Sequence, residues 1–186
     1  SAPVTVLCKT YPAELVTDNT ALYYRVGGLA GWTQHYIDNC NNLEGGKVTC
    51  KGSIHNYDTS NYSVCVGGLV GYKTVNAIDN SRNDADVICE LDMTKGADGT
   101  VKDKAYSGST VRLNIGGICG YTKNSIAITS CVNKGNITSS NNKAGGIFGT
   151  SVKDTKNVCA ITVENCVNFG TVSAPKVAAG IVGRLG

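Results

Sequence analysis

The sequence predicts an all-β fold, a parallel β-solenoid (β-helix) of about five irregular coils with loop insertions. A seven-residue glycine block recurs five times at spacings of 29 to 49 residues, and a second motif that ends in asparagine follows four of the copies. Self-similarity at a period of about 20 to 50 residues is typical of stacked repeat proteins, whose units bury their apolar faces against one another. The 23 glycines and 3 prolines favour short strands joined by tight turns over helices.

The glycine block occupies residues 26–32, 66–72, 115–121, 144–150 and 178–184. Its third and sixth positions are Gly in all five copies, and its fourth is Leu or Ile. A position that lacks a side chain at every level indicates a sharp turn or a close approach to another segment. A phosphate-binding loop is not supported, because neither a GK[ST] signature nor a following helical pattern is present.

The second motif occupies residues 37–42, 78–83, 128–133 and 163–168. Its six positions are an apolar residue, any residue, Asn or Ser, Cys or Ser, any residue, and Asn. We predict a bend in this motif at its last position, because Asn tolerates the left-handed conformation and can bond neighbouring backbone groups. Stacked side chains of this kind can also form a hydrogen-bonded ladder. The expected ladder comprises Asn42, Asn83, Asn133 and Asn168.

The remaining segments frame these two motifs. Val4 to Cys8 is β-branched and predicts a first strand. Residues 49–64, 88–114 and 151–158 are insertions, which repeat scaffolds place as loops on one face, often the binding face. No linker or change in composition divides the chain, so we predict a single repeat domain of residues 1–186.

Charge and hydropathy argue against several partners. The net charge of +3 includes no basic run, which argues against nucleic acid, and no run of about 18 apolar residues predicts a membrane span. The chain begins at Ser1 without a basic, apolar leader, so we expect a mature or trimmed form.

The nine cysteines leave at least one thiol unpaired. Cys40, Cys131 and Cys166 share one position of the second motif, which favours free thiols that act as small apolar core residues. Because there is no CxxC pair, the sequence does not predict a zinc site, and we expect no cofactor. Disulfides remain open for Cys8, Cys50, Cys65, Cys89 and Cys159.

Together the two motifs resemble the GLUG-motif repeats of large bacterial surface and secreted proteins. The clearest copy runs from Ile115 to Ile137, and about two thirds of the chain takes part. The sequence departs from the pattern at Ser81, at Ala179 and in the longer turn at residues 43–46. The resemblance implies a parallel β-solenoid in an exported, cell-surface-associated protein whose relatives are mostly assigned to adhesion. It implies no catalytic residue.

An aromatic residue directly follows the glycine block in the first three copies, and stacking would align these residues in an aromatic stripe. Aromatic faces with a polar edge suit sugar rings and partner proteins. The alternative is a ladder that only covers a corner of the coil. The glycan or partner site predicted here comprises Trp32, Tyr72 and Tyr121, aided by Tyr57, Tyr62 and Tyr106 of the insertions.

Three carboxylates near the second turn, Asp79, Asp84 and Asp86, lie close to Arg82 in the sequence. Oxygen ligands of this kind can hold calcium, and paired carboxylates can cleave glycosidic bonds. Turns of soluble proteins usually carry solvated charge, which makes these residues weak candidates for a metal site.

The sequence therefore predicts a non-catalytic, extracellular or cell-surface module that binds a glycan or a surface protein. The first alternative is a structural, self-assembling element of a surface fibre or larger surface protein, which would make end-to-end contacts with another copy or continue into a longer solenoid. A polysaccharide-cleaving enzyme ranks third, and it would require a groove that holds Asp79, Asp84 or Asp86.

Overall fold

The computed structural model of the chain describes residues 4–8, 22–54, 62–95, 100–101, 111–140, 143–151 and 159–185. Within these residues it is all β, with twenty-four strands and no helix. The strands form five sheets whose neighbouring strands are parallel, except that β12 pairs antiparallel with β11. The predicted parallel β-solenoid is confirmed.

The strands follow the chain coil by coil. Coil 1 contains β1 (Val4–Cys8), β2 (Leu22–Gly27), β3 (Ala30–Thr33), β4 (Ile37–Asp38) and β5 (Asn41–Asn42). Coil 2 contains β6 (Lys47–Ile54), β7 (Tyr62–Gly67), β8 (Val70–Lys73), β9 (Ile78–Asp79) and β10 (Arg82–Asn83). Coil 3 contains β11 (Asp86–Lys95), β12 (Thr100–Val101), β13 (Val111–Gly116), β14 (Cys119–Thr122), β15 (Ile126–Thr129) and β16 (Val132–Asn133). Coil 4 contains β17 (Ile137–Ser139), β18 (Lys143–Gly145), β19 (Phe148–Ser151), β20 (Ile161–Glu164) and β21 (Val167–Asn168). Coil 5 contains β22 (Val172–Ser173), β23 (Val177–Ala179) and β24 (Val182–Arg184).

We name the five sheets A to E in the order in which the chain passes through them. Each of the first four coils contributes a strand to every sheet, and coil 5 contributes strands to sheets A, B and C. Sheet A contains β1, β6, β11, β17 and β22, with β12 attached to β11; sheet B contains β2, β7, β13, β18 and β23; sheet C contains β3, β8, β14, β19 and β24. Sheet D contains β4, β9, β15 and β20, and sheet E contains β5, β10, β16 and β21. The glycine block joins sheet B to sheet C, and the second motif joins sheet D to sheet E.

The core divides into two apolar clusters. One lies between sheets A and B and includes Val48, Val66 and Ile115. The other lies between sheet C and sheet D and includes Leu69 and Ile128. In coils 2, 3 and 4 the fourth residue of the glycine block, Leu69, Ile118 or Ile147, belongs to this second cluster, which explains the large aliphatic side chain there.

Sheets B and C approach each other closely at the sixth position of the glycine block. A Cβ atom on Gly71 would lie 2.7 Å from the carbonyl oxygen of Cys65 in the neighbouring sheet. At the third position, a Cβ atom on Gly68 would lie 2.0 Å from the carbonyl oxygen of Gly117 in the next coil. The predicted close approach is confirmed at both glycines.

The structure changes the interpretation of the first two insertions. β6 continues to Ile54 and β11 to Lys95, and the two strands pair in register from Lys47 opposite Asp86 to Ile54 opposite Met93. The segments predicted as loops therefore begin as strands, because their alternating residues Cys50, Cys89 and Leu91 extend the core between sheets A and B. The central parts of both insertions lie outside the described residues.

Candidate functional site

The predicted asparagine ladder runs along sheet E and is confirmed. The Nδ2 atom of each residue donates to the Oδ1 atom of the next, over 3.1 Å from Asn42 to Asn83, 2.7 Å from Asn83 to Asn133 and 2.7 Å from Asn133 to Asn168. Each Nδ2 atom also donates to a backbone carbonyl, those of Gly68, Ala85, Gly135 and Gly170 in turn. These side-chain amides therefore connect successive coils of the scaffold to one another.

The left-handed bend lies three residues before the position that we predicted from the sequence. Positive φ angles occur at the third position of the motif, at Asn39 (51°), Asn80 (46°), Ser130 (53°) and Asn165 (52°). The last position of the motif instead holds strand residues of sheet E. The prediction was wrong about position because the motif has Asn at its third position in three of the four copies as well as at its last, and Asn suits a left-handed turn at either place. Only the packing distinguishes the two positions.

The fourth position of the motif closes this bend. Its thiol or hydroxyl donates to the carbonyl oxygen two residues earlier, over 3.3 Å at Cys40, 2.6 Å at Ser81, 3.2 Å at Cys131 and 3.2 Å at Cys166. Ser and Cys can replace each other here because both offer one donor at the same place. Among the described side chains, no disulfide is formed by Cys40, Cys50, Cys65, Cys89, Cys119, Cys131, Cys159 or Cys166, whereas the side chain of Cys8 lies outside the described residues.

The aromatic residues of the stripe pair in the predicted register, but two of the three are buried. Trp32 lies opposite Tyr72, and Tyr72 lies opposite Tyr121. Trp32 is 49% exposed, but Tyr72 is 7% and Tyr121 is 5% exposed. The two tyrosines pack on Cys65 with their ring centroids 5.3 Å apart, so they cannot offer their faces to a sugar.

Burial of these tyrosines follows from the close approach of sheets B and C at the glycines. Residues of sheet B cover the aromatic residues that follow the block in sheet C. The Arg25 guanidinium carbon lies 4.6 Å from the ring centroid of Tyr72 and 5.8 Å from that of Trp32. Of the other predicted contributors, Tyr57 and Tyr106 lie outside the described residues, and Tyr62 begins β7 with its side chain outside them.

The three candidate carboxylates do not converge. Asp79 accepts a hydrogen bond from the Thr129 hydroxyl, Asp84 pairs with Arg82, and Asp86 accepts from the backbone of Asn136 at 2.9 Å. Each therefore bonds a different part of the scaffold. In the part of the chain that the structure describes, no group of three His, Cys, Asp or Glu residues could hold a metal ion.

The structure contains a buried charged residue, Lys73, that the sequence analysis did not identify. Lys73 is fully buried, and its Nζ atom donates to the carbonyl oxygens of His35 and Val75. Burial lowers the pKa of Lys73. The ammonium group thus bonds the turn that follows sheet C in coils 1 and 2, which is a structural role.

The apolar columns are uncovered at the two end coils. The fourth residue of the glycine block is fully buried in Leu69, Ile118 and Ile147, but Leu29 is 44% and Ile181 is 38% exposed. We define the first-coil surface as Leu29, Trp32, Tyr36 and Leu43, and the last-coil surface as Ile181 and Leu185, all of them exposed. Val167 and Phe169, at the end of coil 4, are exposed as well. Sequence reasoning did not distinguish these residues, because the repeat pattern treats all copies as equivalent.

Two adjacent thiols differ in acidity. The backbone N–H of Cys131 donates to Cys166 Sγ at 3.4 Å. Contact with the Cys131 side chain lowers the pKa of Cys166 to about 7 and raises the pKa of Cys131. Burial raises the pKa of Cys119 to about 12 and also raises that of half-buried Cys159.

We expect iodoacetamide to modify Cys166 in the folded protein faster than Cys159, although both are half-buried, because the thiolate is the nucleophile. The rate at Cys166 should rise with pH through a midpoint near 7. Time-resolved alkylation followed by peptide mass spectrometry measures both rates. Equal rates at the two thiols between pH 6 and 8 would contradict the expectation.

Among the residues that the structure describes, no helix is long and apolar enough to span a lipid bilayer. Comparison with protein-family models, with curated proteins and with solved structures finds no match for this chain.

Proposed function

We propose that this chain is a non-catalytic structural module of a secreted or cell-surface protein, and that it works by end-to-end association of its coils. The supporting observation is the column of Leu29, Leu69, Ile118, Ile147 and Ile181, which is buried throughout except at its two ends. Repeat units of this kind depend on a neighbour to bury their apolar face. The glycan-binding function ranks lower because two of its three stacked aromatic residues are buried.

The arrangement of the repeats favours head-to-tail contact between two copies. A second copy that continues the register brings its Leu29 onto Ile181 and its Trp32 onto Arg184, because each pair holds one position of the glycine block. Leucine on isoleucine removes apolar surface from water, and a guanidinium on an indole ring gains a cation–π contact. The two surfaces differ, so the interface is heterologous and extends into open chains of molecules.

We expect the 19.4 kDa chain to associate as its concentration rises from about 1 to 500 µM. Trp32 is the one tryptophan of the sequence, so its emission should shift to shorter wavelength as Arg184 of another copy covers it. Sedimentation velocity and fluorescence measure the two effects. Thr138→Lys, an exposed change in the middle of sheet A, serves as the control and should associate like the unchanged protein.

Two end variants test the direction of the contact. Leu29→Lys blocks the first-coil surface and Ile181→Lys blocks the last-coil surface, so each alone should remain monomeric. An equimolar mixture should form a 1:1 dimer and nothing larger, because one intact surface of each kind remains. A monomeric unchanged protein, or a mixture that stays monomeric, would reject head-to-tail association.

The exposure of Trp32 and Tyr36 on the first-coil surface supports a second candidate, the binding of a glycan or partner protein there. The Ile181→Lys monomer, whose first-coil surface is intact, separates this function from self-association. Saturable quenching or shift of Trp32 emission by an oligosaccharide, lost in Tyr36→Ala, would favour this candidate. A glycan array without a hit would remove its carbohydrate form.

A further inference from the structure

Two columns of side chains face each other where sheet B approaches sheet C. The sheet B column comprises Arg25, Cys65, Asn114 and Lys143, and the sheet C column comprises Trp32, Tyr72, Tyr121, Thr150 and Arg184. The two columns are in contact, because Arg25 lies over the ring of Tyr72 and Cys65 packs against Tyr72 and Tyr121. In coils 1 to 3 the residues that sheet C contributes to this contact are therefore aromatic rings.

The sheet C column changes from aromatic to polar in coils 4 and 5. Thr150 takes the place of the aromatic residue in coil 4, and Arg184 takes it in coil 5. In the facing column, Lys143 begins β18 and continues the positions of Arg25 and Cys65. Coils 4 and 5 therefore bring two cations and one hydroxyl together where the preceding coils have rings.

The two cations lack a carboxylate partner among the residues that the structure describes. The ion pairs in this part of the chain involve neither Lys143 nor Arg184. Partial burial lowers the pKa of Lys143, and the positive charges of Arg184 and Lys176 lower it further. Positive charges that converge in this way repel one another, and a bound anion would remove the repulsion.

The hydroxyl between these cations is buried and makes no hydrogen bond. Thr150 is 4% exposed, and its Oγ1 atom has no partner. Buried hydroxyls in proteins are nearly always bonded, and an unpaired one destabilises the fold. An oxygen atom of an anion would accept the hydrogen of Thr150. Lys143 is half-buried and Arg184 is exposed, and both side chains are long enough to turn toward a ligand that enters beside the hydroxyl.

We propose that Lys143, Thr150 and Arg184 form a binding site for an oxyanion, which is the sulfate, phosphate or carboxylate group of a ligand. Arg184 binds two oxygens of such a group through its fork of N–H donors, and Lys143 supplies a second positive charge. Thr150 donates its hydroxyl hydrogen to a further oxygen. A free inorganic ion and an acidic saccharide both carry the required group, and the experiment distinguishes these two sources.

The first probe is inorganic sulfate, titrated at constant ionic strength and compared with sodium chloride. We expect saturable binding of one sulfate per chain with a dissociation constant of about 1 mM or less, measured by isothermal titration calorimetry. A sulfated disaccharide that binds at least about tenfold more tightly than sulfate would identify a saccharide as the source, and a smaller difference would identify the free ion. The absence of saturable sulfate binding, or an equal response to chloride, would overturn the proposal.

Variants of the protein locate the site. Lys143→Ala and Arg184→Ala should each weaken sulfate binding at least about tenfold, a loss of about 1.4 kcal/mol. Lys123→Ala removes an exposed lysine of coil 3 and is the control with the same change in charge. Thr150→Val keeps the shape of the side chain, so it should weaken binding without lowering the midpoint of thermal unfolding in the absence of sulfate. Binding that survives Lys143→Ala, or that Lys123→Ala weakens equally, would overturn the proposal.

The oxyanion site does not require end-to-end association, although Arg184 takes part in the contact proposed between copies. All titrations therefore use the Leu29→Lys chain, in which the first-coil surface is blocked and Lys143, Thr150 and Arg184 are unchanged. Circular dichroism shows that each variant is folded before binding is measured. End-to-end association is measured without sulfate, so failure of one proposal is distinguishable from failure of the other.

Discussion

Replacing Asn133 with alanine is expected to lower the free energy of unfolding by about 3 to 5 kcal/mol. The change leaves an amide hydrogen of Asn83, the Oδ1 atom of Asn168 and the carbonyl oxygen of Gly135 without their partner. Asn83 and Asn133 are fully buried, so water cannot easily replace the lost bonds. Urea unfolding followed by circular dichroism measures the loss.

The matched control is Asn136→Ala in the same coil. Asn136 is exposed, and its Oδ1 atom accepts from the backbone and hydroxyl of Thr171 in the next coil. Because these groups can bond water instead, the loss should be at most about 1 kcal/mol. Equal losses for the two variants would show that the buried ladder does not contribute beyond an ordinary surface hydrogen bond.

Replacing Gly117 with alanine is expected to cost at least about 3 kcal/mol or to prevent folding. The new Cβ atom would lie 2.1 Å from the carbonyl oxygen of Gly146 and 2.5 Å from the side-chain carbon of Asn133. One of these is backbone of the next coil and the other belongs to the ladder, so neither can move without breaking hydrogen bonds. The midpoint of urea unfolding and the yield of soluble protein report the effect.

The last glycine block provides the control at the same position of the repeat. A Cβ atom on Gly180 would have nothing within 4 Å. Gly180→Ala should therefore be neutral, or stabilising by up to about 1 kcal/mol through the loss of chain entropy in the unfolded state. If both variants were equally unstable, the cause would be the backbone conformation of the block rather than contact between coils.

These two predictions depend on one contact that repeats along the solenoid. The glycine at the third position of the block faces the ladder asparagine of the same coil: Gly28 faces Asn42, Gly68 faces Asn83, Gly117 faces Asn133, and Gly146 faces Asn168. The asparagine side chain fits beside the backbone only because the glycine has none. The two motifs, although separated in the sequence, thus form one structural unit.

The sequence was sufficient to predict this unit in outline. The spacing of the glycine blocks predicted stacked coils, and the recurring asparagine predicted the ladder, because both patterns repeat at the same positions in every coil. The same reasoning placed Trp32, Tyr72 and Tyr121 in one column. It could not give their exposure, because equivalent positions in a sequence can be covered by different neighbours.

The sequence by itself determined the parallel coils, their register and the identity of the ladder residues, since these depend on local spacing and on side chains that repeat. Only the tertiary structure decided that sheet B covers Tyr72 and Tyr121, that the bend lies at the third motif position, and that Asp79, Asp84 and Asp86 bond separate parts of the scaffold. It also decided that Leu29 and Ile181 are exposed while their counterparts in the three coils between them are buried. Exposure and convergence depend on distances between segments that are far apart in the chain, and a repeating pattern contains no information about which copy has a neighbour.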